Sequence, residues 1–209
     1  MTTAASRPAS MVAVEVDPRG ERRFVLHGVP WSTYVTLRDA LDEDRGGGVR
    51  MTYLEGTLEL MSPSTLHEDV KTILARLLEV WATERDVDLR GFGNATFRRE
   101  ASRGGLEPDE CYTLGALADQ GTPDLAIEVV VGSPLVDKLD VYARLGVPEV
   151  WVWRDGVLTV HCLTEGARYV VDAKSRVLPA LDVSQLSSFV RPGESQTKLA
   201  RAYRDALRP

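Results

Sequence analysis

Apolar positions predict one long amphipathic helix near the middle of the chain. From Thr65 onward they recur at the 3.6-residue spacing of a helix that is buried along one face. The stripe consists of Leu66, Val70, Ile73, Leu74, Leu77, Leu78 and Trp81. Thr65 is a candidate N-cap, because Glu68 follows it at the spacing of a capping box. A shorter helical pattern covers 31–41, and the glycine run 46–48 beyond it predicts a turn.

Strand patterns lie on both sides of this helix. Residues 50–63 alternate around Glu55-Gly56 and predict a hairpin, and residues 150–163 predict a second one that turns at Asp155-Gly156. The strongest strand is predicted at 125–131, with weaker ones at 87–89, 95–98, 106–112 and 168–171 and further helices at 135–145 and 198–207. This order predicts an α/β or α+β fold, with one mixed central sheet flanked by helices.

Three regions are expected along the chain. Residues 1–22 show little periodicity and predict a flexible or edge segment. Residues 23–191 are expected to form one domain, since its length suits a single core. Residues 192–209 carry a basic amphipathic helix, which could pack on the domain or pair with a second subunit in a homodimer.

Composition narrows the function classes. The 209 residues are 44% hydrophobic and 27% charged, as in an ordinary globular protein. The net charge of −6 argues against a protein that coats nucleic acid by bulk electrostatics, but it does not exclude a nuclease with basic residues near its groove. Two cysteines are too few for a disulfide framework or a zinc pattern. With no signal peptide or membrane-spanning run, we expect a cytoplasmic protein.

Glu128 is the polar exception within the apolar run 125–131. A strand that is apolar on both faces is expected at the centre of a sheet. Burying an ionised carboxylate there costs several kcal/mol unless a partner or a metal ion compensates. Glu128 is therefore either an ion-paired or strand-end residue, or a metal ligand or general base.

A hard divalent cation needs a second oxygen ligand beside Glu128. Asp124 lies on the same strand, but four residues at about 3.3 Å each place it roughly 13 Å away. Two ligands of one ion lie within about 5 Å of each other, which excludes Asp124 as the co-ligand. Asp109 belongs to another predicted strand, and pairing of the two strands could place it opposite Glu128.

Several short motifs occur in order between residues 50 and 165. They are Leu54-Glu55-Gly56 with Glu59 to Pro63, His67-Glu68, Gly105 to Tyr112 around Pro108-Asp109, Pro123 to Val129 around Glu128, Asp137-Lys138-Leu139 with Tyr142, and Gly146 to Trp151. Each motif alone is weak, but the ordered set resembles the Uma2 family, a branch of the PD-(D/E)xK nucleases.

The resemblance implies a restriction-endonuclease-like fold. It also implies Asp109 and Glu128 as ligands of Mg²⁺ or Mn²⁺, with Glu68 as a candidate third acidic residue. Two residues after Glu128, where the wider superfamily has its lysine, this chain has Val130. Lys138, at the start of the next predicted helix, is the candidate replacement.

Each of these candidates has a structural alternative. Glu68 is equally a helix cap, and His67 is favoured as a surface or capping histidine. Lys138 could pair with Asp137 or Asp140 instead of serving the site.

Two other sets of charged residues are weaker candidates for a role in the site. Glu55 and Glu59, beside the hairpin turn, are expected to be solvated. The basic patch Arg98, Arg99 and Arg103 could contact phosphates or could protect an exposed strand edge.

The leading hypothesis is metal-dependent hydrolysis of phosphodiester bonds in nucleic acid, with DNA favoured over RNA. Asp109 and Glu128, with Glu68 as a further candidate, would hold the ion, and Lys138 would orient a water or neutralise charge on the phosphate. The missing motif lysine motivates a rival hypothesis, a catalytically silent nuclease-fold module for binding or assembly. A metal-dependent hydrolase of other substrates is a third.

Overall fold

A computed structural model describes residues 10–43, 48–93, 95–115, 121–132 and 136–208. Within these residues the chain forms twelve strands and five α-helices. The strands are β1 (Ser10–Val16), β2 (Arg22–His27), β3 (Arg50–Leu54), β4 (Thr57–Ser62), β5 (Leu89–Gly91), β6 (Phe97–Arg99), β7 (Gly104–Leu106), β8 (Glu110–Leu114), β9 (Leu125–Val130), β10 (Glu149–Arg154), β11 (Val157–Leu163) and β12 (Tyr169–Asp172). The helices are α1 (Trp31–Glu43), α2 (Thr65–Glu84), α3 (Lys138–Leu145), α4 (Val183–Ser188) and α5 (Gln196–Ala206).

The strands form two six-stranded sheets, where the order of elements had predicted one. The first sheet has the antiparallel order β1-β2-β4-β3-β7-β6. The second sheet has the order β12-β11-β10-β9-β8-β5 and is mixed, because β9 and β10 run parallel. The α+β class and the restriction-endonuclease-like arrangement of a mixed sheet with helices are confirmed.

The chain changes sheets between β7 and β8, so the single strand predicted at 106–112 is wrong. β7 pairs with β3 and β6 in the first sheet, whereas β8 pairs with β9 in the second. Residues 107–109 connect them, and Pro108 lacks the N–H that a central ladder position requires. Asp109 therefore lies at the junction of the two sheets.

Most other predicted elements are confirmed, with shifts at their ends. Both hairpins and the long helix are present, but the N-cap of α2 is Ser64, whose Oγ accepts a hydrogen bond from the His67 amide at 3.2 Å. α3 begins at Lys138, later than the pattern predicted, because Asp137 caps its first turn. The short helix α4 was not predicted, and residues 46 and 47 of the predicted glycine turn lie outside the described residues.

The helices cover the two faces of the second sheet. Leu125, Ile127 and Val129 point to the face where α2 packs and share one core with that helix. Ala126 points to the opposite face and shares a second core with α3. Because strand side chains alternate, Glu128 also points toward α3.

The C-terminal helix α5 packs against α2. Its residues Leu199 and Tyr203 are fully buried in the core that α2 shares with the sheet. The apolar side of α5 is thus covered within the chain. No helix among the described residues combines the length and the apolar character that crossing a bilayer would require.

Candidate functional site

Glu128 and Asp109 occupy facing positions on neighbouring strands. β8 and β9 pair with Glu110 opposite Ile127, and continuing this register by one residue places Asp109 opposite Glu128. Both residues are buried, with exposed fractions of 1% for Asp109 and 2% for Glu128. The strand pairing expected from the sequence is therefore present.

Helix α3 supplies two partners to the Glu128 carboxylate. The Lys138 ammonium donates to Oε2 at 2.6 Å, and the Tyr142 hydroxyl donates to Oε1. The two residues are four positions apart, which places them on one face of the helix. The Lys138 side chain thus reaches back to the strand, and it does not form the predicted alternative pair with Asp137 or Asp140.

The carboxylate of Asp109 is fixed from two sides. Its Oδ2 accepts a hydrogen bond from the Val129 amide at 2.8 Å, and its Oδ1 lies 2.9 Å from Nε2 of His67. This second contact is an ion pair whose angles depart from those of a hydrogen bond, and neither atom has an aligned partner among the described residues. Asp109 Oδ1 is therefore a buried oxygen with unused acceptor capacity.

His67 is buried in this site and is not a surface histidine. The structure places it near the start of α2, fully enclosed, with Nδ1 at 3.2 Å from Oε2 of Glu21. Burial alone would lower the pKa of His67, but the contacts with Asp109 and Glu21 together outweigh it and raise that pKa to about 9. The imidazole is thus held between two carboxylates.

The two facing carboxyl groups have pKa values displaced in opposite directions. Burial raises the pKa of Glu128, and the negative charge of Asp109 raises it further. The positive charge of Lys138 lowers this pKa, but the net result is a rise. Burial also tends to raise the pKa of Asp109, but the positive charges of His67 and Lys138 hold it well below its usual range. Opposite displacement within one site is a feature of acid–base and metal centres.

A second group of buried ion pairs lies beside the site, in the first sheet. Arg23 contacts Glu21 at 2.6 Å and Glu59 at 2.6 Å, and all three side chains are almost fully enclosed. The expectation that Glu59 is solvated is therefore wrong, whereas Glu55 is exposed and pairs with Arg144. A sequence pattern gives no indication that Glu21 and Arg23 belong to this site, because Glu59 and His67 lie 36 and 46 residues away from them along the chain.

Glu68 lies apart from this group. Its side chain is 41% exposed and contacts Lys71 at 2.5 Å and Arg50 at 3.8 Å. No contact joins it to Asp109, Glu128 or Lys138 within the described residues. Its assignment as a metal ligand stays a prediction that this geometry does not support.

A cavity of about 400 Å³ opens beside Glu128 on the α3 face of the second sheet. Lys138 and Tyr142 line it from the helix, and Val152 and Arg154 line it from β10. Arg154 is exposed and makes no ion pair with any residue that the structure describes. Its guanidinium is therefore available to an anionic ligand.

The predicted basic patch lies elsewhere. Arg98 and Arg99 belong to the edge strand β6, and Arg103 follows it. Arg98 pairs with Asp39 at 2.7 Å, and none of the three residues lines the cavity beside Glu128. The strand-edge alternative fits their position.

The described residues contain no group of three or more His, Cys, Asp or Glu side chains arranged to hold a metal ion. Asp109 and Glu128 are thus a pair rather than a closed cage. Mg²⁺ is commonly bound by one or two carboxylates while water and substrate phosphates complete its coordination. The unused acceptor on Asp109 suits such an ion, whereas both oxygens of Glu128 already accept hydrogen bonds from Lys138 and Tyr142.

One family of known proteins matches most of the chain. No curated protein matches the chain. The profile of the Uma2 family, whose description is "Putative restriction endonuclease", matches residues 31–194. The match spans Asp109, Glu128 and Lys138 and most of both sheets, so this chain belongs to the Uma2 family.

Proposed function

We propose that this protein is a metal-dependent endonuclease that hydrolyses phosphodiester bonds in nucleic acid. Asp109 and Glu128 would hold Mg²⁺ or Mn²⁺, and Lys138 would serve as the lysine of the site. The observation that carries the proposal is the 2.6 Å contact between Lys138 and Glu128, which brings a lysine to the carboxylate although Val130 occupies the usual motif position.

The proposal assigns separate tasks to the residues around the cavity. When bound, the ion supplies a water of lowered pKa and polarises the scissile phosphate. The Lys138 ammonium is positioned to orient a water or to neutralise charge that develops on the phosphate. Arg154 at the rim offers a fork of donors that suits a phosphate of the backbone.

The acidic net charge of −6 is compatible with this function because the positive groups are local. Lys138 and Arg154 both line the cavity. Asp155, which follows Arg154 in the chain, pairs with Arg19 at 3.2 Å. A substrate phosphate would therefore meet an available guanidinium although the chain as a whole is acidic. DNA is the proposed substrate, with RNA as the alternative polynucleotide.

Cleavage assays with purified protein test the proposal. Plasmid DNA, single-stranded DNA and RNA are incubated with Mg²⁺, Mn²⁺ or a chelator, and divalent-ion binding is measured by titration calorimetry. We expect metal-dependent cleavage that falls by roughly 100-fold or more in Glu128→Gln and Asp109→Asn, since each removes a charged ligand. Asp124→Asn is the matched control, because Asp124 directly precedes the strand of Glu128 but its carboxylate accepts a hydrogen bond from the Leu114 amide, away from Glu128 and Lys138.

One observation favours a second function, that of a catalytically silent nuclease-fold module. Both oxygens of Glu128 already have donors, Lys138 and Tyr142, so the carboxylate is satisfied without an ion. If wild-type protein cut none of the three substrates and bound no divalent ion, the endonuclease proposal would be refuted. Unchanged or increased stability of Glu128→Gln would then favour the silent module.

A further inference from the structure

Two buried charged residues of the site precede the region that the family profile matches. That match begins at residue 31, whereas Glu21 comes directly before β2 and Arg23 lies within it. Their exposed fractions are 1% and 2%. Burying charges to this extent costs several kcal/mol unless they are paired, so their contacts determine whether they are tolerated.

Glu21 contacts three parts of the molecule. Its Oε2 lies 3.2 Å from Nδ1 of His67 on α2, and its Oε1 lies 2.6 Å from Arg23. The same Oε1 accepts a hydrogen bond from the Gly132 amide at 3.3 Å. A Cβ atom at Gly132 would lie 3.1 Å from this oxygen, so the glycine permits the close approach. Glu21 thereby links the first sheet to the residues that follow β9.

The contact with His67 continues to the proposed ligand. Nε2 of His67, the nitrogen opposite the one that faces Glu21, lies 2.9 Å from Oδ1 of Asp109. An imidazole with one nitrogen on a carboxylate has a fixed ring orientation. Contacts of Glu21 with His67 and of His67 with Asp109 therefore connect Glu21 to the side of the Asp109 carboxylate that the Val129 amide does not hold.

We propose that Glu21 is a positioning residue of this site, which acts through His67 on Asp109 and thereby sets the affinity for the divalent ion. The inference rests on the proposed function. It also makes the segment before residue 31 part of the site and not an appendage to it. Arg23 supports this role, because its second contact with Glu59 at 2.6 Å keeps Glu21 in place from the side of the first sheet.

Glu21 would not bind the ion itself, so its replacement should weaken the affinity for Mn²⁺ without abolishing binding. Loss of a group that orients a ligand reduces metal affinity by roughly 10- to 100-fold. Glu21→Gln retains the size of the side chain and removes the charge that holds the imidazole. We expect its affinity for Mn²⁺ to fall by roughly tenfold or more.

Mn²⁺ binding is measured by electron paramagnetic resonance, in which the signal of free Mn²⁺ decreases on binding. Wild type, Glu21→Gln, His67→Asn and the double variant form a cycle. If Glu21 acts through His67, Glu21→Gln weakens binding in the wild type but adds little in the His67→Asn background. A residue that only stabilises the fold would not show this dependence on His67.

Glu149→Gln is the matched control. Glu149 is fully buried but bonds to Trp151 and Ser175, away from Glu21. It should lower stability and leave the Mn²⁺ affinity unchanged. If Glu21→Gln does not fold, Glu21→Asp replaces it in the cycle, since aspartate keeps the charge but shortens the reach by one methylene.

Each outcome separates the two proposals. Wild-type binding with a Glu21→Gln affinity within twofold of wild type overturns the positioning role and leaves the proposed function standing. The positioning role is also overturned if the losses of Mn²⁺ affinity in Glu21→Gln and His67→Asn add up in the double variant. Absence of Mn²⁺ binding in the wild type overturns both.

Discussion

Replacing Lys138 by methionine tests whether the buried carboxylate of Glu128 depends on its ammonium partner. The two charged groups lie 2.6 Å apart, with side-chain exposed fractions of 11% and 3%. At an effective dielectric constant of about 20, charges at that separation attract by about 6 kcal/mol, part of which offsets their desolvation. Removing one partner of a buried pair costs about 3–5 kcal/mol. We expect Lys138→Met to lower the free energy of unfolding by about 3 kcal/mol or more at pH 8.

The loss should depend on pH, because the carboxyl group can take up a proton instead. Burial is the main cause that raises the pKa of Glu128, and Lys138 is the main charge that opposes it. A carboxyl group whose pKa is higher in the folded than in the unfolded protein stabilises the fold at low pH. This contribution is lost as the pH rises from the unfolded-state pKa through the folded-state pKa. Without Lys138 that pKa rises further. The variant should therefore be nearest to wild type near pH 5 and furthest from it at pH 8.

Urea unfolding followed by circular dichroism at pH 5, 6.5 and 8 measures the effect. The double variant Lys138→Met with Glu128→Gln should regain most of the loss, because it leaves no unpaired buried carboxylate. Arg98→Met is a control that removes the exposed pair with Asp39, and it should cost less than about 1 kcal/mol. An equal loss at all three pH values, or a double variant no more stable than Lys138→Met, would refute the reasoning.

Three further predictions concern the stability of the fold. The pKa of His67 is raised from 6.5 to about 9, chiefly by Asp109 against the opposing effect of burial, so its stabilising contribution is complete below pH 6.5 and is lost as the pH rises through 9. The difference in unfolding free energy between wild type and His67→Gln should shrink by up to about 3 kcal/mol across that window, and a constant difference would contradict the assignment. Glu149→Gln should cost about 1–3 kcal/mol in urea unfolding, because it weakens several buried hydrogen bonds to one carboxylate; a loss below about 0.5 kcal/mol would contradict this. Gly105→Ala should cost about 1–3 kcal/mol, since its Cβ would overlap the Tyr34 ring and hydroxyl, and Tyr34→Phe should recover part of that loss in thermal unfolding.

The sequence alone points to the two carboxylates of the candidate site. An isolated carboxylate in the apolar run 125–131 marks Glu128 as a buried charge that requires a partner. Strand geometry excludes Asp124 and points to Asp109, and the register of β8 with β9 places those two residues opposite each other. These inferences succeed because strand rise and side-chain alternation are local properties of the backbone.

Other features of the site depend on contacts that the sequence pattern does not indicate. Glu59 follows a hairpin turn and resembles a solvated residue, but Arg23 lies beside it on the neighbouring strand and encloses it in an ion pair. Glu68 has the spacing of a ligand or of a cap, yet the cap of α2 is Ser64, and the half-exposed Glu68 side chain pairs with Lys71 from the next turn of the helix.

The sequence by itself determined the two hairpins, the long helix and the buried strand, because each follows from periodicity, and it singled out Asp109 as the candidate partner of Glu128. Only the tertiary structure decided that the chain changes sheets at Pro108, which brings α2 and β2 to the same junction. It also decided that Lys138 reaches Glu128 and that His67 lies between Asp109 and Glu21. These contacts join residues 10 to 46 positions apart, and their formation depends on how the sheets and helices pack.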